Sequence, residues 1–197
     1  MTAQQLHLFN CLGLAVLVVV AFCTRATARR VVGAMVGGIA FGVVALGIIA
    51  LGEEVGWWHM AITWEPYFLT LLLIDFALCA FIYLFTWRIA RRFGWRGLAV
   101  VVMVAAIIGP PRDYWYMARF PEWGDYAPGI APVLAISATY VLMIAQGHGV
   151  IRLVAGPAQR SPLARRPWET AEPSATAVSI AHVAFWDFKA PRSGRGN

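Results

Sequence analysis

The chain of 197 residues has the length of a single domain, but its 60% hydrophobic and 13% charged residues exclude an ordinary soluble domain. A formal net charge of +6 suggests nucleic acid as the partner of a soluble protein. In a membrane protein the same excess follows from cationic residues retained on the cytoplasmic side, so we expect membrane lipid and no nucleic acid as partner.

The cationic residues are segregated along the chain. Of the 16 lysines and arginines, all except Arg112 and Arg119 fall in alternate connecting segments between five long apolar stretches. Cationic segments stay cytoplasmic during membrane insertion. The pattern therefore predicts an all-α, polytopic integral membrane helix bundle with five transmembrane helices, its N-terminus outside and its C-terminus cytoplasmic. Lys189 is the sole lysine, a usage typical of GC-rich bacterial genomes, so we expect a bacterial plasma (inner) membrane.

Five spans account for residues 1–155, because about 20 apolar residues cross a bilayer. The predicted spans are residues 6–24, 31–51, 66–87, 93–109 and 128–154. The fourth is short and needs Arg96 to extend its side chain toward the inner interface. Gly109, Pro110 and Pro111 are predicted to end it, because proline cannot continue the helical hydrogen-bond ladder.

Residues 156–197 are rich in Pro, Ser, Ala, Thr and Arg and are predicted to form a mostly disordered cytoplasmic tail. A short apolar segment, residues 178–188, is too short to span a membrane. It is expected to form an interfacial helix, to dock a partner, or to fold back onto the inner face of the chain.

Asp75 is the first candidate for chemistry, because it lies roughly 13 Å into the third span, near the bilayer centre. An ionisable residue at that depth must face the bundle interior. Its depth matches that of Ser137, Thr139 and Tyr140 in the fifth span. Asp75 is interpreted either as a proton-relay or ligand-binding carboxyl group or as an interhelical hydrogen bond that fixes packing.

The two outer loops supply the second group of candidates. They bring carboxylates that could exchange protons, and arginines and aromatic residues that could hold a polar head group. The candidates are Glu53, Glu54, His59, Arg112, Asp113, Trp115, Tyr116 and Arg119. Arg112, Tyr116 and Arg119 share one face if the second loop is helical, and Glu53 or Glu54 is the expected partner of the arginines. The alternative is a charge-paired lid that only closes the bundle. No motif indicates a metal site or a cofactor.

One short segment resembles a known family. Pro111-Arg112-Asp113-Tyr114, followed by Trp123 and a proline-led span, resembles the aspartate-bearing loop of the small membrane-embedded carotenoid cyclases. That family carries a glutamate pair on a later span, whereas the fifth span here has none, so membership is not inferred.

The second span is glycine-rich. Gly33 and Gly37, and again Gly38 and Gly42, have the G-x-x-x-G spacing that allows two backbones to approach closely. They indicate either a homo-oligomer seam or packing within the same chain.

Three functions remain open. The leading one is a non-catalytic membrane component that binds a lipid or a partner membrane protein. The alternative is a membrane-embedded enzyme that acts on an isoprenoid or lipid by acid–base chemistry at the outer face. The third is a small proton-coupled transporter subunit with Asp75 in its pathway.

Overall fold

A computed structural model describes residues 2–158, and the predicted tail beyond residue 158, with its apolar segment 178–188, lies outside them. The described chain is mostly helical. Four helical runs are long and apolar enough to cross a membrane, so the protein is a helical membrane protein. These runs are Ala3–Thr24, Ala28–Val55, Pro66–Arg119 and Ile130–Ala155.

The elements follow one another with short connections. They are α1 (Ala3–Thr24), α2 (Ala28–Val55), β1 (Trp58–Met60), α3 (Pro66–Leu78), α4 (Ala80–Arg119), a 3-10 turn (Pro121–Trp123), β2 (Gly124–Tyr126) and α5 (Ile130–Ala155). Helix α1 begins with a capping box, in which the Gln5 backbone N–H donates to Thr2 Oγ1 and the Thr2 backbone N–H donates to Gln5 Oε1. Cys79 alone separates α3 from α4, so the two helices form one nearly continuous run.

A small sheet joins the connections at one end of the bundle, a feature that the all-α prediction did not include. Strands β1 and β2 pair antiparallel, with Trp58 opposite Tyr126 and Met60 opposite Gly124. Gly124 has a φ of 143°, and a side chain there would collide with the His59 carbonyl group. We call this end of the bundle, with β1 and β2, the sheet end.

The opposite end, where α2 begins and α5 finishes, is called the arginine end. Arg29 Nε donates to the Val154 carbonyl oxygen at 2.7 Å, and Arg30 Nη2 donates to the Ala155 carbonyl oxygen at 2.9 Å. The guanidinium of Arg30 lies 4.4 Å from the ring centroid of Trp87, which is fully buried. Arginine side chains therefore cap the last carbonyl groups of α5, where the helix dipole favours a cation.

The glycines of α2 make contacts within the chain. Gly33 and Gly37 lie against α5, at Val154 and Gly147. The contact moves from Val154 back to Gly147 as the chain advances from Gly33 to Gly37, so α2 and α5 run antiparallel. Gly38 and Gly42 lie against α3 instead, at Phe76, Ala77 and Leu73. All four glycines are buried, so each G-x-x-x-G pair seats a different neighbouring helix of the same molecule.

Helix α4 differs from the prediction at both ends of the fourth span. It has one non-helical residue, Gly94, with φ 65° and ψ −154°. It does not end at Gly109 but continues through Pro110 and Pro111 to Arg119. The helix tolerates Pro110 because Ser137 of α5 donates a hydrogen bond to the carbonyl oxygen of Ala106, which proline leaves without its backbone donor.

Candidate functional site

The strongest polar cluster of the described chain lies near the sheet end and joins α4 to α5. Arg112 donates to Asp113 Oδ1 from both Nε (3.0 Å) and Nη2 (2.7 Å). The Tyr140 hydroxyl lies 2.9 Å and 3.0 Å from the two oxygens of Asp113. Arg112 Nη2 also donates a hydrogen bond to the Tyr140 hydroxyl oxygen. We call Arg112, Asp113 and Tyr140 the polar triad.

Exposure differs strongly within the polar triad. The Asp113 side chain is 18% exposed, whereas the Arg112 side chain is 54% exposed. The largely buried Asp113 carboxylate thus fixes the position of the Arg112 guanidinium, about half of which remains exposed. Guanidinium groups bind carboxylates and phosphates with paired donors, so an anchored, half-exposed arginine can hold a further anionic or polar group.

Small residues and aromatic rings shape the space around the polar triad. Gly109 leaves room for the Tyr140 ring, which a Cβ at position 109 would overlap. The Arg112 guanidinium lies 5.3 Å from the Tyr140 ring centroid and 5.8 Å from that of Tyr116. Two aromatic rings therefore flank the cation, an arrangement that attracts it electrostatically and limits its rotamers.

Tyr126 connects the polar triad to the small sheet. Its ring centroid lies 5.0 Å from that of Tyr114 and 6.1 Å from that of Trp58. Burial raises the pKa of the Tyr126 phenol well above its usual range, the negative charge of Asp113 raises it further, and Arg112 partly opposes the shift. Tyr126 therefore remains a neutral phenol at physiological pH.

The other loop candidates do not join the polar triad. Glu53 Oε1 accepts from the backbone N–H of Met60 at 3.0 Å and lies 3.8 Å from His59 Nδ1. Glu53 thus fixes the turn into β1, and the ion pair with the 76% exposed His59 exists only when the histidine is protonated. Glu54 and Arg119 are exposed and form no ion pair with any residue in 2–158. The arginine–glutamate pair expected from the sequence is therefore replaced by Arg112–Asp113.

The exposed aromatic candidates, Trp115 and Tyr116, lie in the last two turns of α4. Trp115 is 61% exposed and meets Tyr116 edge-to-face, with their ring centroids 5.2 Å apart. Tyr116 is 40% exposed and stacks on Phe120, which in turn stacks on Trp123 at 4.6 Å. These rings extend from the Arg112 guanidinium along one side of the helix and suit the interfacial zone of a bilayer.

Asp75 is partly buried on α3 and forms no side-chain hydrogen bond or ion pair with Arg112, Asp113 or Tyr140. Its predicted partners have other bonds: Ser137 donates to Ala106, and Thr139 donates to the Ala135 carbonyl oxygen of its own helix. The third, Tyr140, bonds Asp113. No residue in 2–158 donates a side-chain hydrogen bond to the Asp75 carboxyl group.

Tyr140 is the site residue whose role sequence reasoning missed, since depth matching assigned it to Asp75. The helix through Pro110 and Pro111 brings Asp113 within reach of Tyr140, and the sequence was interpreted as ending that helix earlier. The available signal was Gly109, a small residue that permits an aromatic ring to pack on the helix. Among residues 2–158, no three His, Cys, Asp or Glu side chains converge as metal ligands.

Comparisons with known protein families, with curated proteins and with solved structures find no match to this chain. The class of protein therefore rests on the fold alone: a helical membrane protein with a polar triad between two of its helices.

Proposed function

We propose that this protein is a non-catalytic component of a bacterial plasma membrane that binds a lipid with an anionic or polar head group. Arg112 holds the head group at the sheet end, while Asp113 and Tyr140 hold Arg112. The single observation that carries the proposal is the anchored but 54% exposed guanidinium of Arg112.

The bonding of the polar triad favours binding over acid–base catalysis at this position. Both oxygens of Asp113 accept hydrogen bonds, from Arg112 and from the Tyr140 hydroxyl. With both oxygens engaged in holding Arg112 and Tyr140, the carboxylate has no oxygen left to approach a substrate proton. The same bonds preorganise Arg112 for an anionic ligand, because the side-chain ordering that binding requires has already occurred.

The surface next to the polar triad supports a lipid as the source of that head group. Val104, Ile107 and Ile108 on α4 are between 48% and 65% exposed, one to two turns before Arg112. A soluble anion would gain nothing from these side chains, whereas lipid acyl chains can cover them. The ligand class is therefore an amphiphile with an anionic or polar head.

The proposed topology has five crossings, with the N-terminus outside and the C-terminus in the cytoplasm. Contacts within the 54-residue run Pro66–Arg119 support a division at Gly94. Arg91 Nη1 donates to the Ala158 carbonyl oxygen at the arginine end, and the Tyr114 hydroxyl donates to the Ala127 carbonyl oxygen at the sheet end. One crossing before Gly94 and one after it accommodate both contacts.

Binding is tested on full-length protein released from gently solubilised membranes and analysed by native mass spectrometry. We expect a small amphiphile of defined mass to accompany the wild type and to be lost from Arg112→Gln. Arg119→Gln is the matched control, because it removes the same charge from the same helix at an exposed residue outside the polar triad. Equal retention by both variants, or an amphiphile-free wild type that carries a protein partner instead, contradicts the proposal.

Topology is tested by labelling whole cells with a membrane-impermeant maleimide. Glu122→Cys should react from outside, and Arg92→Cys should react only after the cells are opened. The native Cys11, Cys23 and Cys79 lie within helical runs or at their junction, and the unsubstituted protein sets the background. The opposite labelling pattern would invert the orientation, and labelling of both sites from outside would contradict a crossing between them.

A second candidate, a proton-coupled or enzymatic role for Asp75, is favoured by one observation. Asp75 is partly buried within an apolar helix and receives no side-chain hydrogen bond from residues 2–158. Intramembrane carboxyl groups of this kind commonly bind protons or substrates. Asp75→Asn should abolish a proton-coupled flux in liposomes, or a lipid conversion, without lowering protein abundance. If neither activity is detected in wild-type protein, this candidate fails.

A further inference from the structure

We propose that the turn at Gly94 is a second lipid site, specific for anionic phospholipid in the leaflet at the arginine end. Arg92 and Arg96 hold the phosphate group, while Phe93 and Trp95 enter the interfacial zone. The site is separate from the polar triad and does not depend on the function proposed for it.

The backbone at Gly94 presents these four side chains together. With φ 65° and ψ −154°, Gly94 interrupts α4, and a conformation of this kind is open to glycine and strained for other residues. Phe93 is 59% exposed and Trp95 is 74% exposed, and both arginines are exposed as well. Two large aromatic rings at this exposure beside two cations are the side-chain pairing typical of a membrane interface.

Each guanidinium remains beside a ring. The Arg92 guanidinium lies 5.3 Å from the Phe93 ring centroid, and that of Arg96 lies 5.9 Å from the Trp95 ring centroid. Rings that enter the head-group region thereby place both cations at the depth of the lipid phosphates. The turn is thus a basic and aromatic unit that spans only five residues.

Charge complementarity identifies the occupant. The sequence has no Asp or Glu between Asp75 and Asp113, and within residues 2–158 neither Arg92 nor Arg96 forms an ion pair. Arg29, Arg30 and Arg91 differ from them, because these three donate to backbone carbonyl groups of residues 154–158. Two cations that have no carboxylate partner within residues 2–158 are expected to attract anionic head groups at a membrane surface, by about fivefold in affinity for each arginine.

The test uses purified full-length protein in detergent micelles, titrated with phosphatidylglycerol or with phosphatidylcholine of the same acyl chains. Native mass spectrometry counts the bound lipids. We expect wild type to bind phosphatidylglycerol more tightly, and Arg92→Gln/Arg96→Gln to lose most of that preference, about fivefold for each arginine removed. Arg119→Gln removes a charge from the sheet end, at an exposed residue outside the polar triad, and should keep the preference.

Two further arms make the result decisive. The first arm serves if the glutamine variant does not fold: Arg92→Lys/Arg96→Lys keeps both charges and should keep the greater part of the preference for phosphatidylglycerol. The second arm, Phe93→Ser/Trp95→Ser, should weaken binding of both lipids. Inorganic phosphate at millimolar concentration should not displace phosphatidylglycerol. Displacement by phosphate would assign the site to a soluble anion, and a preference that survives in the glutamine variant would place it elsewhere; either result overturns the proposal.

Discussion

The Ser137 hydroxyl of α5 donates a hydrogen bond of 2.8 Å to the backbone carbonyl oxygen of Ala106, four residues before Pro110. In a regular helix the backbone N–H of residue 110 would occupy that carbonyl group, but proline has no N–H. The hydrocarbon core contains no water that could donate to this carbonyl group, so a side chain of the neighbouring helix replaces the missing donor. The bond allows α4 to continue and carries Arg112 and Asp113 to Tyr140.

Ser137→Ala should therefore destabilise the bundle, lowering the free energy of unfolding by about 1 kcal/mol, the upper part of the range for hydrogen bonds within membranes. Thr139→Ala is the matched control, because Thr139 bonds only a carbonyl group of its own helix. Unfolding in mixed micelles, followed by circular dichroism, measures both. Equal stability of wild type and Ser137→Ala would show that Pro110 needs no replacement donor.

Two glycines of α2 should respond in opposite ways to alanine. A Cβ at Gly38 would overlap the backbone at Phe76 and Ala77, which cannot move without separating α2 from α3. A Cβ at Gly47 meets no atom within 4 Å. Gly38→Ala should therefore cost about 3 kcal/mol through overpacking, whereas Gly47→Ala should be neutral or slightly stabilising. Thermal unfolding of both variants in one detergent tests the difference, and similar losses would contradict this packing of α2 on α3.

Gly109→Ala should weaken amphiphile binding without changing any charge. The new methyl group would overlap the Tyr140 ring and displace its hydroxyl from Asp113 and Arg112. We expect about tenfold weaker binding, equivalent to about 1.4 kcal/mol. Gly149→Ala serves as control, because it lies on α5 with open space around the added atom. Unchanged affinity in Gly109→Ala would mean that Tyr140 does not position Arg112.

Arg30→Met should destabilise the arginine end. The side chain is 1% exposed, donates to Ala155 and Gly156 carbonyl oxygens and stacks on Trp87. Loss of charge-assisted hydrogen bonds and of a desolvated cation–π contact should lower the free energy of unfolding by about 3 kcal/mol. Arg152→Met, at an exposed residue of α5, should change it by less than about 0.5 kcal/mol. Comparable losses in the two variants would assign the effect to net charge alone.

The raised pKa of Tyr126 leads us to expect a loss of stability at alkaline pH. Burial, the largest cause, and Asp113 raise the pKa of Tyr126 above its ordinary value of 10.0, so the folded state retains the phenol proton longer than the unfolded state. The contribution of Tyr126 to the free energy of unfolding is constant below about pH 10. It is lost as the pH rises above that value, at up to about 1.4 kcal/mol per pH unit. Unfolding of Tyr126→Phe between about pH 9 and 11 should show a shallower decline in stability than wild type, and an equally steep decline would contradict this role of Tyr126.

Hydrophobic runs predicted the coarse fold, a set of helices able to cross a membrane, because a bilayer requires long apolar helices. The five crossings and the orientation, which charge segregation indicates, stay predictions. The G-x-x-x-G spacing predicted close packing, but spacing alone could not say that Gly33 would face α5 and Gly38 would face α3. The helix end predicted at Pro110 was wrong, because the compensating donor, Ser137, is distant in sequence.

The candidate site shows the same limit. Arg112 and Asp113 were identified by their residue types in a loop, and the structure joins them to each other rather than to Glu53 or Glu54. Trp58 is buried at 7% exposure, and its Nε1 donates to the Ile49 carbonyl oxygen. Gly52 makes room for its ring, a tertiary relationship that neither residue reveals alone.

The most direct test of head-group binding at Arg112 is an electron cryomicroscopy structure of the protein in a lipid nanodisc made from its native membrane lipids, enlarged with a bound antibody fragment. We predict density for a lipid head group within hydrogen-bond distance of the Arg112 guanidinium, about 2.7–3.2 Å, with acyl density along the α4 face before it. Ordered lipids elsewhere around the bundle, with the Arg112 guanidinium facing only solvent, would contradict the account.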